Sequence, residues 1–280
     1  MKKTFFITII FLVCVFVLTS LYHPSNQTSN KTRVFRIGTE CDYPPNNWQE
    51  KEATDSNIPI INQEGFYAEG YDIQIAKLVA ESISADIEVR KIAWEDLIPA
   101  LNRNEIDAIF SGMLDTSERK KTVDFSDIYG LPKKYGVMVH RDGKYSKAKK
   151  MTDFAGAKFV GQKNTNLDRG IYQLLGVIRL PAVATASEML SKLLSHDADG
   201  IIVDSEIIAA NENLYPEIVG ITFASDETFF FDYTGVCAAV RKNDKGLLKE
   251  INGALKNISK NERQRIMDRS IVREVDNSSL

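Results

Sequence analysis

Apolar and polar positions along the chain fall into two unlike regimes. At the amino end, Lys2 and Lys3 precede an unbroken apolar run from Phe5 to Leu18 that continues through Leu21 and Tyr22, about 18 residues in all. A positive flank that stays cytoplasmic and an apolar run that enters the translocon fit a secretory signal. The exit from the run leaves three forms open. Val17-Leu-Thr-Ser20 lacks a good small-x-small cleavage site, Cys14 follows Phe11-Leu-Val13 where a lipidated cysteine wants a small residue, and a run of about 18 just spans a bilayer. Residues 1–22 are therefore expected to be a signal peptide or membrane anchor and residues 23–32 a polar linker. The rest is expected outside the cytoplasm, secreted across the inner or cell membrane: tethered by an uncleaved anchor or lipid, or periplasmic if the signal is cleaved.

From Val34 onward, short apolar strands alternate with helical stripes. Val34-Phe-Arg-Ile-Gly38 reads as a strand; Asp72 can cap a helix to Ser84 whose Ile75, Ala76, Val79, Ala80 and Ile83 form one stripe. Ile87 to Ile92 alternates as a strand, Trp94, Leu97, Ile98 and Leu101 have helical spacing, and Ile106 to Phe110 is a buried strand. This βαβαβ order predicts a largely parallel sheet with helices on its faces. A second series follows: strand Lys158–Gly161, helix Asn166–Leu175, helix Ser187–Ser195 and strand Gly200–Val203. A shift of 92 positions superposes Leu97, Ile98, Leu101, Asp107, Ile109 and Phe110 on Met189, Leu190, Leu193, Asp199, Ile201 and Ile202, although any two α/β units look alike at this level. Either way the pattern predicts two α/β lobes whose strand carboxyl ends face a shared crevice.

Composition narrows the chemistry. About 245 residues remain beyond the apolar segment and linker, enough for two lobes of about 100 each. A net charge of −3 gives no general attraction for phosphate backbones, so no nucleic-acid partner is expected. Three cysteines, Cys14, Cys41 and Cys237, build neither a disulfide framework nor a four-thiolate zinc site, and the three histidines are isolated. Neither a GxxxxGK[ST] loop nor a GxSxG elbow occurs, so binding or carboxylate-based chemistry remains, with no metal and no cofactor expected.

The candidate residues follow the apolar strands. After Phe110 comes Ser111-Gly-Met-Leu-Asp-Thr-Ser-Glu-Arg119, where Asp115 with Glu118, or Thr116, caps an expected helix; its free amides and Arg119 would receive a carboxylate. After Gly161, Thr165 or Asn166 caps another helix. Asp204 either caps a third or points its carboxylate into the crevice at an ammonium. Together these offer a zwitterion site. Tyr43 and Tyr71 are candidate aromatic walls, and Glu40 with Asp42 would favour a cationic side chain.

The segments Ile37-Gly-Thr-Glu-Cys-Asp-Tyr-Pro-Pro45, Gly70-Tyr-Asp-Ile73, Trp94-Glu-Asp-Leu-Ile-Pro-Ala-Leu101, Ile106-Asp-Ala-Ile109, Ser111-Gly-Met113, Glu118-Arg-Lys-Lys-Thr-Val-Asp-Phe-Ser126 and Asp199-Gly200 occur in order across the exported part, which closes with Ile258 to Met267. In these the chain resembles the family 3 extracellular solute-binding proteins of amino-acid ABC transporters. The resemblance implies a two-lobed periplasmic-binding-protein-like type II α/β fold with two crossover strands. Lobe 1 would be discontinuous (33–130 and 234–273), lobe 2 would be 135–229, and the hinge 131–134 and 230–233. It also implies that Arg119 holds an α-carboxylate and that Ser111, Gly112, Met113 and Leu114 form the loop beside it. Thr165 with Asn166 would be the second lobe's carboxylate donors, Asp204 the acid for the α-ammonium, Tyr43 and Tyr71 the walls, Glu40 the acid facing a cationic side chain, and Gln162 part of the lining. Leu114, Asn46 and Asn164 depart from the family pattern by removing a hydroxyl, an aromatic and a glycine.

The expected function is therefore a non-enzymatic binding component of an ABC importer, a monomer closing over a free L-amino acid and serving a membrane permease. A cationic ligand (arginine, lysine or histidine) is expected from Glu40. A glutamine binder, an amino-acid sensor or co-receptor, and a carboxylate-based dehydratase using Glu40 or Asp42 are the alternatives. Cys41 and Cys237 both fall in lobe 1, where export permits a bridge, but two separate buried thiols are expected.

Overall fold

The structure, a computed structural model, describes residues 33–224 and 227–278. The expected signal or anchor and the polar linker lie outside these residues. In chain order the strands are β1 (Arg33–Thr39), β2 (Asp42–Tyr43), β3 (Asn47–Glu50), β4 (Ile58–Pro59), β5 (Tyr67–Glu69), β6 (Ala85–Lys91), β7 (Ala108–Ile109), β8 (Val123–Ile128), β9 (Tyr135–His140), β10 (Lys158–Phe159), β11 (Ile178–Arg179), β12 (Gly200–Asp204), β13 (Ile218–Thr222) and β14 (Cys237–Arg241). The helices are α1 (Tyr71–Ser82), α2 (Leu97–Asn102), α3 (Asn166–Gly170), α4 (Ala186–Leu194), α5 (Ser205–Leu214), α6 (Lys245–Lys256) and α7 (Lys260–Ser278).

Two five-stranded sheets organise these elements, in the orders β6-β1-β7-β14-β8 and β11-β10-β12-β9-β13, and a small antiparallel sheet, β2-β3-β5-β4, flanks the first. In the first sheet β1 runs parallel to β6 and β7, and only β14 is reversed against its neighbours. In the second, β10 runs parallel to β11 and β12, and only β9 is reversed. The two-lobed α/β expectation and the largely parallel sheets hold. Each lobe's reversed strand is the one that enters it from the other lobe.

The cores follow from strand periodicity. Successive side chains point to opposite faces of a sheet, so Ala108 joins Phe35, Ile37, Ile75, Val79 and Phe110 on one face, while Ile109 joins Leu97, Leu101 and Ile106 on the other. Val137, Met138, Phe159, Leu193, Ile201 and Val203 form the separate core of the second lobe. Each fully buried Ile, Leu or Phe contributes about 1.5–3 kcal/mol relative to exposure. The closing helix α7 packs against α1 of the first lobe and α5 of the second.

Several local expectations are corrected. Asp72 does not cap α1: Gly70 precedes the helix, at φ 118, and Asp72 is buried inside the first turn. A side chain at Gly70 would also meet the Asn46 carbonyl at 2.5 Å, so both dihedral and space require glycine. Its buried environment pushes the Asp72 carboxyl up to about 6, against hydrogen bonds from Tyr129 and Asn47. No α-helix starts at Asp115 to Arg119; a single 3₁₀ turn, Arg119–Lys121, stands there. Asp115 instead accepts from the Thr234 amide at 2.7 Å and the Gly235 amide at 3.0 Å and pairs with Lys120 at 2.6 Å, so it ties the returning chain to this loop. Cys41 and Cys237 are free, buried thiols, each raised to about 12 mainly by burial.

Candidate functional site

The cleft lies where the carboxyl ends of β1, β7, β10 and β12 converge. Its lining comprises Glu40, Tyr43, Trp94, Ser111, Gly112, Leu114, Arg119, Lys133, Tyr135, Gln162, Thr165, Asn166, Leu167 and Asp204. Ten of the sequence-predicted residues meet here. Tyr71 and Met113 do not: Tyr71 is core, donating its hydroxyl to the Tyr129 carbonyl at 2.6 Å, and Met113 packs in the core with Leu97 and Ile106.

At one end stands Arg119. Its Nη1 donates to the Leu114 carbonyl at 2.9 Å and its Nη2 to the Asn164 carbonyl at 3.1 Å, while the guanidinium lies over the Trp94 ring at 5.0 Å. Trp94 Nε1 donates to the same Asn164 carbonyl at 3.3 Å. Asn164 has φ 61, a conformation asparagine tolerates, which explains how it serves where the family pattern has glycine. Among the described residues no carboxylate pairs with Arg119. Burial, aided by Arg169, lowers its pKa only to about 10, so the charge persists at neutral pH. A half-buried guanidinium bonded to neutral carbonyls can receive an anion through charge-assisted hydrogen bonds.

Across the cleft, Thr165 caps α3 by accepting from the Asp168 amide and donates its hydroxyl to the Gln162 carbonyl at 2.6 Å. Asn166 Nδ2 is buried without a hydrogen-bond partner among the described residues, a donor available to a solute. Gln162 Nε2 donates to Glu40 Oε1 at 2.5 Å, and the Glu40 amide donates to Ser111 Oγ at 3.0 Å. Burial, with Asp42 nearby, pushes the Glu40 carboxyl up to about 8, so it is mostly protonated at neutral pH. Leu114, where the family pattern has a hydroxyl, offers the cleft an apolar side chain.

Asp204 ends β12 and does both things its position allows. Its Oδ1 accepts from the Ile207 amide at 3.2 Å and caps α5. Its Oδ2 faces the cleft, where it accepts from the Tyr43 hydroxyl at 2.8 Å and from Lys133 Nζ at 2.5 Å. Burial opposes the Asp204 charge, but the Lys133 ammonium and the surrounding hydrogen bonds, that of Tyr43 included, together hold the carboxyl below its usual range. Burial opposes the Lys133 charge too, and Asp204 together with the Glu206 and Asp72 carboxylates holds it above its usual range. Glu206 is pushed up to about 7 by burial and by Asp204.

Contacts across the cleft hold the lobes together: Tyr43 with Asp204, Glu40 with Gln162, Arg119 with Asn164, Glu95 with Lys163 at 2.8 Å, Glu118 with Arg169 at 2.7 Å, and Asp42 with Ser187 at 2.6 Å. The space open to water-sized solutes inside this cleft is about 50 Å³, so the two lobes are drawn together over it.

Trp94, Lys133, Tyr135 and Leu167 were not singled out from sequence as site residues. Trp94 carried a signal, an aromatic leading into α2, but its helical spacing read as core. Lys133 carried none, because its partnership depends on the antiparallel register that sets Tyr135 opposite Asp204.

Two α/β lobes with a polar cleft at their strand carboxyl ends define a class of binding protein that encloses small solutes between hinged halves. Residues 35–271 match the model of the bacterial extracellular solute-binding proteins, family 3, and the chain belongs to that family. It is 26% identical over 243 residues to a "Probable histidine-binding protein" of Neisseria gonorrhoeae, covering 82% of this chain and 80% of that one. It is 31% identical over 193 residues to the ABC transporter glutamine-binding protein GlnH of Bacillus subtilis, covering 67% of each. Among solved structures, an ancestral arginine-binding protein bound to arginine superposes with a TM-score of 0.69 at 26% identity, covering 84% of this chain and 97% of that one. No helix among the described residues is long and apolar enough to cross a membrane.

Proposed function

We propose that the protein captures a free L-amino acid outside the cytoplasm and delivers it to the membrane permease of an ABC importer. The observation that carries this reading is Arg119: a half-buried, charged guanidinium at the cleft whose partners are carbonyls and a ring face. An α-carboxylate there would gain the charge-assisted hydrogen bonds that neutral partners cannot supply, with Asn166 adding a donor from the facing lobe. Glu40, which also lines the cleft, supports a cationic side chain, because a guanidinium or ammonium beside it would favour the carboxylate and release its proton. Relatives named for histidine and arginine fit that choice. A second reading is glutamine: Glu40 protonated and hydrogen-bonded by Gln162 presents a neutral polar pair that suits an amide, and GlnH is a relative.

In this reading the lobes comprise 33–130 with 234–273 and 135–229, and they hinge at 131–134 and 230–233, where the chain passes between the two sheets. The protein works as a monomer, held near its permease by an anchor or lipid, or free after cleavage. No bond is made or broken. Titration calorimetry with the common L-amino acids tests it: one of them binds with micromolar or tighter affinity and Arg119→Ala abolishes the heat. Silence across the whole panel contradicts it.

A further inference from the structure

Most of the acceptor capacity of Asp204, and all of its cleft-facing Oδ2, is taken by the protein itself. A carboxylate offers about four lone-pair sites. Oδ2 takes Lys133 Nζ and the Tyr43 hydroxyl, and Oδ1 takes the Ile207 amide. Lys133 is a deeply buried ammonium, its side chain 7% exposed and that of Asp204 1%. It lines the cleft and lies 6.0 Å from the centre of the Tyr43 ring. Lys133 lies in the proposed hinge segment at the entry to the second lobe, and the backbone beside it is tied to Asp204: Tyr135, two residues on from Lys133, pairs in register with Asp204, and the Ser205 amide donates to the Lys134 carbonyl at 2.8 Å. Tyr43, by contrast, reaches Asp204 from the facing lobe.

An incoming α-ammonium would have to evict Lys133 from the carboxylate it is hydrogen-bonded to, and a buried charge that loses its partner is among the most unfavourable local states in a protein. We propose that Lys133 is a built-in occupant of the α-ammonium position. The site therefore recognises its ligand by the carboxylate and side chain, and accepts carboxylates that lack an α-ammonium about as well as the amino acids themselves. This rests on the reading of Arg119 as the carboxylate anchor. The ligand class widens from L-amino acids to their des-amino counterparts with the same side chain.

The test is calorimetry on two matched pairs, L-arginine against 5-guanidinopentanoate and L-glutamine against its des-amino analogue glutaramate, with the wild-type protein and Lys133→Met. For the pair that binds, wild-type affinities are expected to agree within tenfold. In Lys133→Met, which frees Asp204, the amino acid should gain at least tenfold over its des-amino partner. Lys133→Gln serves as the second variant if the methionine form does not fold. A wild-type preference for the amino acid above tenfold, or a ratio that changes less than tenfold in the variant, overturns the inference while leaving the amino-acid reading intact. Binding of the des-amino compounds alone supports the inference and removes the amino-acid reading. If neither protein binds any of the four compounds, both fall.

Discussion

The two ends of the cleft treat charge in opposite ways. Arg119 carries a half-buried positive charge with no ion-pair partner among the described residues, whereas Asp204 carries a buried negative charge that already has its cation in Lys133. Both residues follow an apolar strand, and from their positions alone they look like equal halves of a zwitterion site. The difference lies in who supplies the counter-charge. At Arg119, in the proposed function, it comes from a solute, so that end would drive binding. At Asp204 it comes from the chain, so that end contributes to the stability of the second lobe.

The comparison is broken most severely at Lys133. Lys133→Met leaves Asp204 buried and unpaired, and unfolding by denaturant should show a loss on the order of 4 kcal/mol. Adding Asp204→Asn to that variant should recover much of it, so a double-mutant cycle reports strong coupling. Purely additive losses would mean that the pair is not a unit. Next in size is Arg119→Ala, expected to weaken ligand binding by about 3 kcal/mol, more than a hundredfold, with little change in folding stability.

Glu40 sharpens the choice between a cationic and a neutral ligand. Its folded pKa is raised to about 8, so between roughly 4.5 and 8 the folded protein holds a proton that the unfolded chain has lost. Stability contributed by this group is therefore highest at low pH and falls as pH rises through that window. Glu40→Gln should be more stable than wild type at pH 8.5 and lose that advantage near pH 4.5. A cationic ligand that draws the proton off should bind up to about tenfold more tightly per pH unit over the window, with proton release measurable in buffers of different ionisation heat. Glutamine affinity should stay flat. The smallest effect belongs to the rim: Glu118→Ala breaks the exposed pair with Arg169 and should change binding by less than about 1 kcal/mol, falling further in salt.

Much of this arrangement was legible in the sequence because it is local. Residues immediately after an apolar strand fall at the sheet's carboxyl edge, which is why Glu40, Ser111, Gln162 and Asp204 were found. What escaped depends on partners far along the chain. Asp115 looks like the start of a capping box, yet its acceptors serve amides 119 and 120 positions away. Tyr71 looks like a cleft wall because it opens a helix after a glycine. Instead it stacks with Tyr129, 6.2 Å between centroids, and Tyr129 packs in turn on Phe110. Lys133 reads as one of two lysines in a connecting segment, and only the register of β9 on β12 reveals its partner. Non-local pairing thus decided which polar residues were spent on structure and which were left for a solute.

The central claim is that Arg119 receives the ligand's carboxylate. Calorimetric titration of L-arginine beside L-arginine methyl ester tests it on the unaltered protein. The account predicts that the free acid binds and that the ester, which keeps the ammonium and the guanidinium, binds at least a hundredfold more weakly. An ester that binds as tightly as the acid would show that the cleft is read from some other group, and the assignment of Arg119 would be wrong.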